Sequence, residues 1–324
     1  MPTTVQAATD IPFERARQPT MYFIGVTTGK SSIMNVFPRW AEYLRLDDAV
    51  IRGIDCRWHD DPQVYRHVVD FIKHDDRSLG ALVTTHKIDL LNACRDMFDE
   101  LDPYAELLGE VSGISKADGK LIGHAKDPIT SGLGLEAFLP GWHWEQTGAE
   151  ALVLGAGGSS VAVTCYLMDA RHGKNRPGAI HVTNRSLPRL KEMEHIHKRI
   201  NCPVPVRYHH CPEPEQNDAV MAGLKPHSVV MNATGLGKDA PGSPITSAAP
   251  FPDDGYAWDF NYRGDLVFLE QARAQQQQRR LHVEDGWVYF LHGWTRVIAE
   301  VFHVDIPTRG PEFDRLSHLA AETR

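Results

Sequence analysis

The sequence predicts an α/β fold in two domains, and two observations carry that expectation. Short apolar runs alternate with segments of helical apolar spacing along the 324 residues, once on each side of a Trp-rich connector at 140–148. Such alternation implies right-handed crossovers and parallel sheets. In addition, the apolar run 151–154 leads directly into Gly155, Gly157 and Gly158, followed by a further apolar segment with helical spacing. Strand, glycine turn, helix is the order a dinucleotide pyrophosphate requires. Glycines let the backbone approach the phosphates, and a helix N-terminus offers unpaired N–H groups and the positive end of a dipole. The second half therefore reads as a Rossmann-type dinucleotide-binding domain, with Gly155, Ala156, Gly157, Gly158 and Ser159 as its phosphate turn.

The bulk properties exclude several classes. A net charge of −8 leaves no basic excess for nucleic acid or an anionic membrane. No apolar run is long enough to span a bilayer, and residues 1–20 lack a basic start followed by an apolar stretch. That segment, with Pro2, Pro12 and Pro19, reads as a disordered lead-in. The five cysteines are scattered, odd in number and form no C-x-x-C pair. They fit free thiols in a reducing cytoplasm. The seventeen histidines include His195, His197, His209 and His210, but none of these clusters has the i, i+4 spacing of helix-borne metal ligands, and no metal site is expected.

In chain order, strands are expected at 21–26, 49–54 and 80–84. Helices are expected from an Asn35 N-cap to Leu44, with Pro38 in the first turn, and over 61–73 and 88–98. Asp102-Pro103 opens a short helix closed by Gly109. Residues 110–115 and 120–124 form a hairpin about Asp118-Gly119. Asp127-Pro128 breaks the pattern before a helix over 129–138. Beyond the glycine turn, strands are expected at 179–183, 203–208, 228–232 and 256–260, with helices at 187–199, 266–279 and 286–302.

Ligands of open α/β sheets bind past the carboxyl ends of strands. The stretches 27–32, 84–87, 125–127, 183–186, 232–235 and 259–262 are therefore the candidates. An NAD site usually places an acid at the end of the second strand to hold the ribose 2′-hydroxyl. Here that strand ends in Asn184, Arg185 and Ser186, a set suited to a 2′-phosphate, so NADP is the expected cofactor.

Taken together, these stations resemble the shikimate dehydrogenase family over nearly the whole chain from Met21. The matching pieces are Gly25 to Ser31, Val83-Thr84 to Lys87, Glu100 to Pro103, and Asp118 to Gly123 with Asp127. They continue with Leu154 to Gly158, Thr183 to Ser186, Met231 to Thr234, and Asp285-Gly286. The resemblance implies a substrate-binding and catalytic domain over 21–128, completed by C-terminal helices at 286–324, and an NADP-binding domain over 129–285. It implies that Lys87 and Asp127 flank the alcohol carbon that exchanges hydride. Lys beside Asp can hold a hydroxyl, move its proton and stabilise the developing oxyanion. Ser31, Ser32, Thr84, Ser112, Tyr262 and His292 are implied to line the substrate site. Asn232, Ala233, Thr234 and Gly286 would adjoin the nicotinamide half of the cofactor.

The substrate side departs from the family pattern. The second serine of the carboxylate-binding loop is Ile33, an asparagine before Thr84 is Leu82 in a segment one residue shorter, and another asparagine is Ser112. Ala125-Lys126-Asp127-Pro128 stands for Asn-Thr-Asp-Gly, and a glutamine is Gly293, beside His292; Tyr262 is retained. Leaving a buried substrate hydroxyl without its hydrogen-bond partner costs about 1–3 kcal/mol. Lys126, His86 and His292 read as new polar groups of a rebuilt pocket. The expected activity is therefore an NADP-dependent interconversion of a secondary alcohol and a ketone on a small polyhydroxylated, cyclic substrate other than shikimate. A genuine shikimate or quinate dehydrogenase and a non-catalytic cofactor- or metabolite-binding regulatory module stay open as alternatives. The expected partner is a small molecule, neither nucleic acid nor membrane, with a homodimer left open.

Overall fold

The computed structural model describes residues 5–7, 14–46, 48–238 and 240–323. The chain forms two compact units, Met1–Lys126 with Gly293–Arg324, and Asp127–His292. Among the described residues no helix is long and apolar enough to cross a membrane.

The first unit contains β1 (Val5–Ala7), β2 (Thr20–Gly25), α1 (Ile33–Leu44), β3 (Val50–Asp55), α2 (Pro62–His74), β4 (Ser78–Val83) and α3 (Lys87–Cys94), then β5 (Glu100–Leu101), α4 (Pro103–Leu108), β6 (Gly113–Ala117) and β7 (Lys120–His124). Among the described residues its seven strands run in the order β1-β3-β2-β4-β6-β7-β5. The β1, β3, β2 and β4 pairs are parallel, and β6 is antiparallel to both β4 and β7. Every residue of β2 is buried, as expected for a central strand covered on both faces. Tyr65, Val68, Val69 and Ile72 recur at helical spacing and give α2 its buried stripe. Asp118 and Gly119 both have positive φ and make the tight β6–β7 turn.

The second unit contains α5 (Asp127–Glu136), α6 (His143–Thr147), β8 (Ala151–Leu154), α7 (Gly158–Leu167), β9 (Ile180–Asn184), α8 (Leu187–His197), β10 (Val206–His210), α9 (Pro214–Ala222), β11 (Val229–Asn232), β12 (Tyr256–Asp259), α10 (Val267–Arg279) and β13 (His282–Glu284). The helix α11 (Trp287–Phe302) begins here and continues into the first unit, which ends with α12 (Pro311–Ala321). Among the described residues the second unit's six strands are all parallel, in the order β10-β9-β8-β11-β12-β13. Strand order reverses between β8 and β11, the place where such sheets bind nucleotides. Val153, Ile180, Val182 and Met231 pack on one face with Val163 of α7 and Leu190 of α8. Leu152, Leu154 and Val230 pack on the other with Met221 of α9 and Phe268 of α10.

Several boundaries differ from those the sequence suggests. Val5–Ala7 pairs with β3, and Ala16 N–H donates to Asp75 at 3.2 Å, so these parts of the lead-in are held; residues 1–4 and 8–13 lie outside the described residues. The helix α1 starts at Ile33, because Ile33 and Met34 are buried, and Pro38 falls inside it rather than in its first turn. The helix α3 stops at Cys94, where Arg66 takes the Ala93 carbonyl at 2.7 Å. Pro128 does not interrupt a helix. It lies in the first turn of α5, where its missing N–H has no intrahelical role. The elements β1, β5, α6, α9 and β13 go beyond those the sequence suggests.

His197 is buried at the end of α8. Its Nε2 lies 2.8 Å from Thr164 Oγ1 and its Nδ1 lies 2.7 Å from Tyr208 OH. Burial pushes its pKa down from 6.5 to about 4. The unfolded chain therefore takes up a proton that the folded chain refuses, and stability falls as pH drops from about 6.5 toward 4. Urea unfolding should show wild type losing about 2 kcal/mol more than His197→Gln between pH 7 and pH 5. Equal losses in the two proteins would show that His197 is not held neutral.

Candidate functional site

In the second unit, the turn after β8 is shaped by Gly155. Its φ is +110°, and a Cβ there would lie 2.9 Å from the Ala233 carbonyl oxygen. Glycine is required on both counts. Gly155 N–H donates to Thr183 O at 2.8 Å, tying the turn to β9. Ala156 is buried in the core, so only its backbone can serve a ligand. Gly157 and Gly158 are exposed and Ser159 is half-buried. An added Cβ on Gly157 would meet nothing within 4 Å, which leaves room in front of the start of α7. Exposed N–H groups with that room can take an anion.

The turn after β9 holds Asn184, Arg185 and Ser186. Asn184 Oδ1 accepts the Arg185 N–H at 3.0 Å, and Asn184 O accepts the Cys211 N–H at 2.9 Å. The Asn184 amide oxygen thus shapes the turn. The Arg185 side chain is exposed and has no carboxylate partner among the described residues. Its guanidinium can bind phosphate oxygens in a fork.

Past β11 lies a brace that sequence reasoning missed. Asn232 Nδ2 donates to Asp259 Oδ2 at 3.0 Å, and Asn232 Oδ1 accepts from Thr234 N–H at 3.1 Å and Thr234 Oγ1 at 2.6 Å. Asn261 N–H donates to Asp259 Oδ1 at 2.8 Å, while its side-chain amide donates to Leu236 O at 3.1 Å. Asn232 and Asp259 are fully buried. The side chain of Asn232 therefore holds the Ala233-Thr234 loop instead of facing a ligand. Burial pushes the Asp259 carboxyl up to about 6, against the N–H donors of Asn261 and Asn232. Gly286 is fixed by packing. A Cβ there would lie 2.1 Å from Phe260 O, so glycine lets the chain entering α11 pass the end of β12. Tyr262 is half-buried, its ring 4.7 Å from Phe290 and 5.5 Å from Trp287, and His292 is buried on α11. Asp127 is 9% exposed in the first turn of α5, where its carbonyl accepts the Ser131 hydroxyl at 2.6 Å.

In the first unit, the ends of β2 and β4 meet. Thr84 N–H donates to Ile24 O at 3.0 Å, and a Cβ on Gly25 would lie 3.1 Å from Thr84 Oγ1. Thr28 N–H and Oγ1 both donate to Asp55 Oδ1, at 2.8 and 2.6 Å, fixing the turn that leads to Ser31 and Ser32. Both serines are half-buried at the start of α1, whereas Ile33 is a core residue. Lys87 is half-buried as the first residue of α3. His86, expected as a pocket group, is instead 1% exposed, with Nδ1 3.1 Å from Tyr65 OH and its pKa lowered by burial. Ser112 is likewise committed, since its Oγ accepts the Lys126 N–H at 2.8 Å. Lys126 Nζ lies 2.6 Å from Glu300 Oε1 and 3.7 Å from Asp102 Oδ2. Gly293 has open space where a side chain would be.

The sheet order, the crossover at β8 and β11, and the glycine turn define a Rossmann-type nucleotide-binding unit in a two-unit α/β chain. No protein-family model matches the sequence. It is 30% identical over 215 residues to the shikimate dehydrogenase (NADP(+)) of Azorhizobium caulinodans, covering 66% of this chain and 67% of that one. It is 29% identical over 181 residues to the Streptococcus thermophilus enzyme of the same name, covering 55% of this chain and 58% of that one. Over 96% of the chain, the fold matches the shikimate dehydrogenase of Aquifex aeolicus with a TM-score of 0.71 at 18% identity, covering 99% of that structure. Over 94%, it matches the quinate dehydrogenase of Corynebacterium glutamicum in complex with NAD, with a TM-score of 0.72 at 20% identity and 99% of that structure covered. The chain belongs to the shikimate dehydrogenase family.

The two glycines of the turn should respond differently to a methyl group. Gly155→Ala should lose about 1–3 kcal/mol in chemical denaturation, from backbone strain and the clash with Ala233. Gly157→Ala, at φ −89° and with open space, should unfold like wild type. Equal destabilisation of the two would contradict this account of the turn.

Proposed function

We propose that the chain is an NADP-dependent oxidoreductase that interconverts a secondary alcohol and a ketone on a small polyhydroxylated, cyclic substrate. The single observation that carries the cofactor reading is the exposed Arg185 past β9, with no acid in the Asn184-Arg185-Ser186 turn. The names of the relatives, which specify NADP(+), support it. The pyrophosphate would lie against the N–H groups at Gly157, Gly158 and Ser159, with the 2′-phosphate at Arg185 and Ser186. The loop of Ala233 and Thr234, held by Asn232, would adjoin the nicotinamide half.

The bound dinucleotide would accept the hydride from the alcohol carbon. As the hydride leaves, the hydroxyl proton must leave too. We assign its transfer to Lys87 and Asp127, with Lys87 stabilising the developing oxyanion. Ketone reduction runs the same steps in reverse. Ser31, Ser32 and Thr84 are assigned to the substrate with Tyr262. The altered pocket is supported by Ile33 and Leu82 being buried apolar residues, by Gly293 offering no side chain, and by the Ser112 hydroxyl being taken by Lys126 N–H. A genuine shikimate or quinate dehydrogenase is the second reading. It is favoured by family membership and by the retained Ser31, Lys87, Asp127 and Tyr262.

Fluorescence titration should find NADPH binding at least about tenfold tighter than NADH, the equivalent of one charge-assisted contact. Arg185→Ala should bring the two near parity. No preference in wild type sinks the assignment of Arg185. Oxidation of shikimate with NADP⁺ as efficient as in the relatives would rule out the altered pocket in favour of the second reading.

A further inference from the structure

We propose that Lys126, clamped by Glu300 and Asp102, is a positioning residue for Asp127. The inference rests on the proposed catalytic role of Asp127. It stands on a cluster of charged side chains in the first unit that the reaction itself does not use.

Three successive residues before Asp127 are each held, and Asp102 takes part in holding all three. His124 Nε2 lies 2.8 Å from Ser115 Oγ, and its Nδ1 lies 3.7 Å from Asp102 Oδ2. Ala125 N–H donates to both carboxylate oxygens of Asp102, at 3.2 and 3.3 Å. Lys126 N–H donates to Ser112 Oγ at 2.8 Å, and its Nζ bridges Glu300 and Asp102. The Lys126 side chain is only 12% exposed and that of Asp102 17%. The pair is thus screened far less than a surface ion pair.

Asp102 is itself fixed. It caps α4 by accepting the Ala105 N–H at 2.8 Å. Burial would raise its carboxyl, but His124, the N–H groups of Ala105 and Ala125, and Lys126 hold it below the usual range. Glu300 is held low in the same way, with Lys126 as its main partner against burial. The two carboxylates share one ammonium group. Without Lys126 they would stand as like charges in a partly buried site, each deprived of that cation. The segment 124–126 would then be drawn out of place, and Asp127 is its next residue. A misplacement of an ångström at a catalytic group is enough to cost about a hundredfold in rate.

The test uses the full chain and the variants Lys126→Met, Lys126→Arg and Glu300→Gln. The first readout is amide hydrogen exchange in the peptide that spans 124–127, which needs no substrate. Lys126→Met and Glu300→Gln should speed exchange there by about tenfold, while Lys126→Arg, which keeps the charge, should stay within about twofold of wild type. The second readout is steady-state kinetics on whichever substrate the wild type turns over. Lys126→Met should lower kcat by at least about tenfold with KM for NADPH unchanged, and Lys126→Arg should restore most of it. Unchanged exchange in both Lys126→Met and Glu300→Gln overturns the clamp. Faster exchange with full kcat overturns the positioning role. Faster exchange in a protein whose wild type reduces nothing supports the clamp and instead removes the dehydrogenase reading. If Lys126→Met does not fold, Glu300→Gln decides by the same two readouts.

Discussion

The second unit depends on the close approach of Gly155 to the Ala233 carbonyl. At that point the sheet order reverses, and the loops after β8 and β11 lie side by side with no room for a side chain between them. The consequence is mechanical. The loop after β8 would carry the phosphates, and the loop after β11 would carry the nicotinamide end. Their spacing is set by backbone contact rather than by flexible side chains. The buried Asn232–Asp259 hydrogen bond extends the same constraint to β12. It does so with a carboxyl whose ionisation costs the native state more as pH rises toward about 6. A buried group with that cost is tolerated where it fixes a loop that nothing apolar could shape.

Much of this frame is legible in the sequence. The run 151–154 is expected as a strand and forms β8 with every residue buried, and β11 likewise fills most of the run 228–232. A fully apolar run bounded by glycines or polar turns leaves few alternatives. The elements that escape are short or at sheet edges, where the pattern is weak: β1, β5, α6 and β13. The helix α9 does carry a local signal, since Pro214 opens it and Gln216 accepts the Glu213 N–H from its side chain at 3.0 Å. It has no apolar stripe to draw attention to it, as only Asn217 and Met221 are buried.

Side-chain roles are less legible than backbone roles. Asn232 and Asn184 lie at the carboxyl ends of strands, where ligands bind, yet their side chains serve neighbouring protein groups. Nothing local in the sequence says that Asn232 faces an aspartate twenty-seven residues away. Lys126 and His86 illustrate the same point on the substrate side. Both read as polar groups newly introduced into a pocket. One is bound by two carboxylates from α11 and the start of α4, and the other is buried against Tyr65. What survives from the sequence is the subtraction: Ile33, Leu82 and Gly293 supply no hydrogen bonds from their side chains, whatever their neighbours do.

The proposed reaction moves hydride between NADP and a hydroxylated substrate through Lys87 and Asp127. The most direct measurement is NADPH formation by the purified protein across a panel of cyclic hydroxy acids and polyols, repeated with Lys87→Ala and Asp127→Asn. Turnover of at least one compound other than shikimate is expected, reduced by at least about a hundredfold in both variants while NADPH binding is kept. Turnover that persists in either variant would contradict it, as would NADPH binding by a wild-type protein that oxidises nothing in the panel.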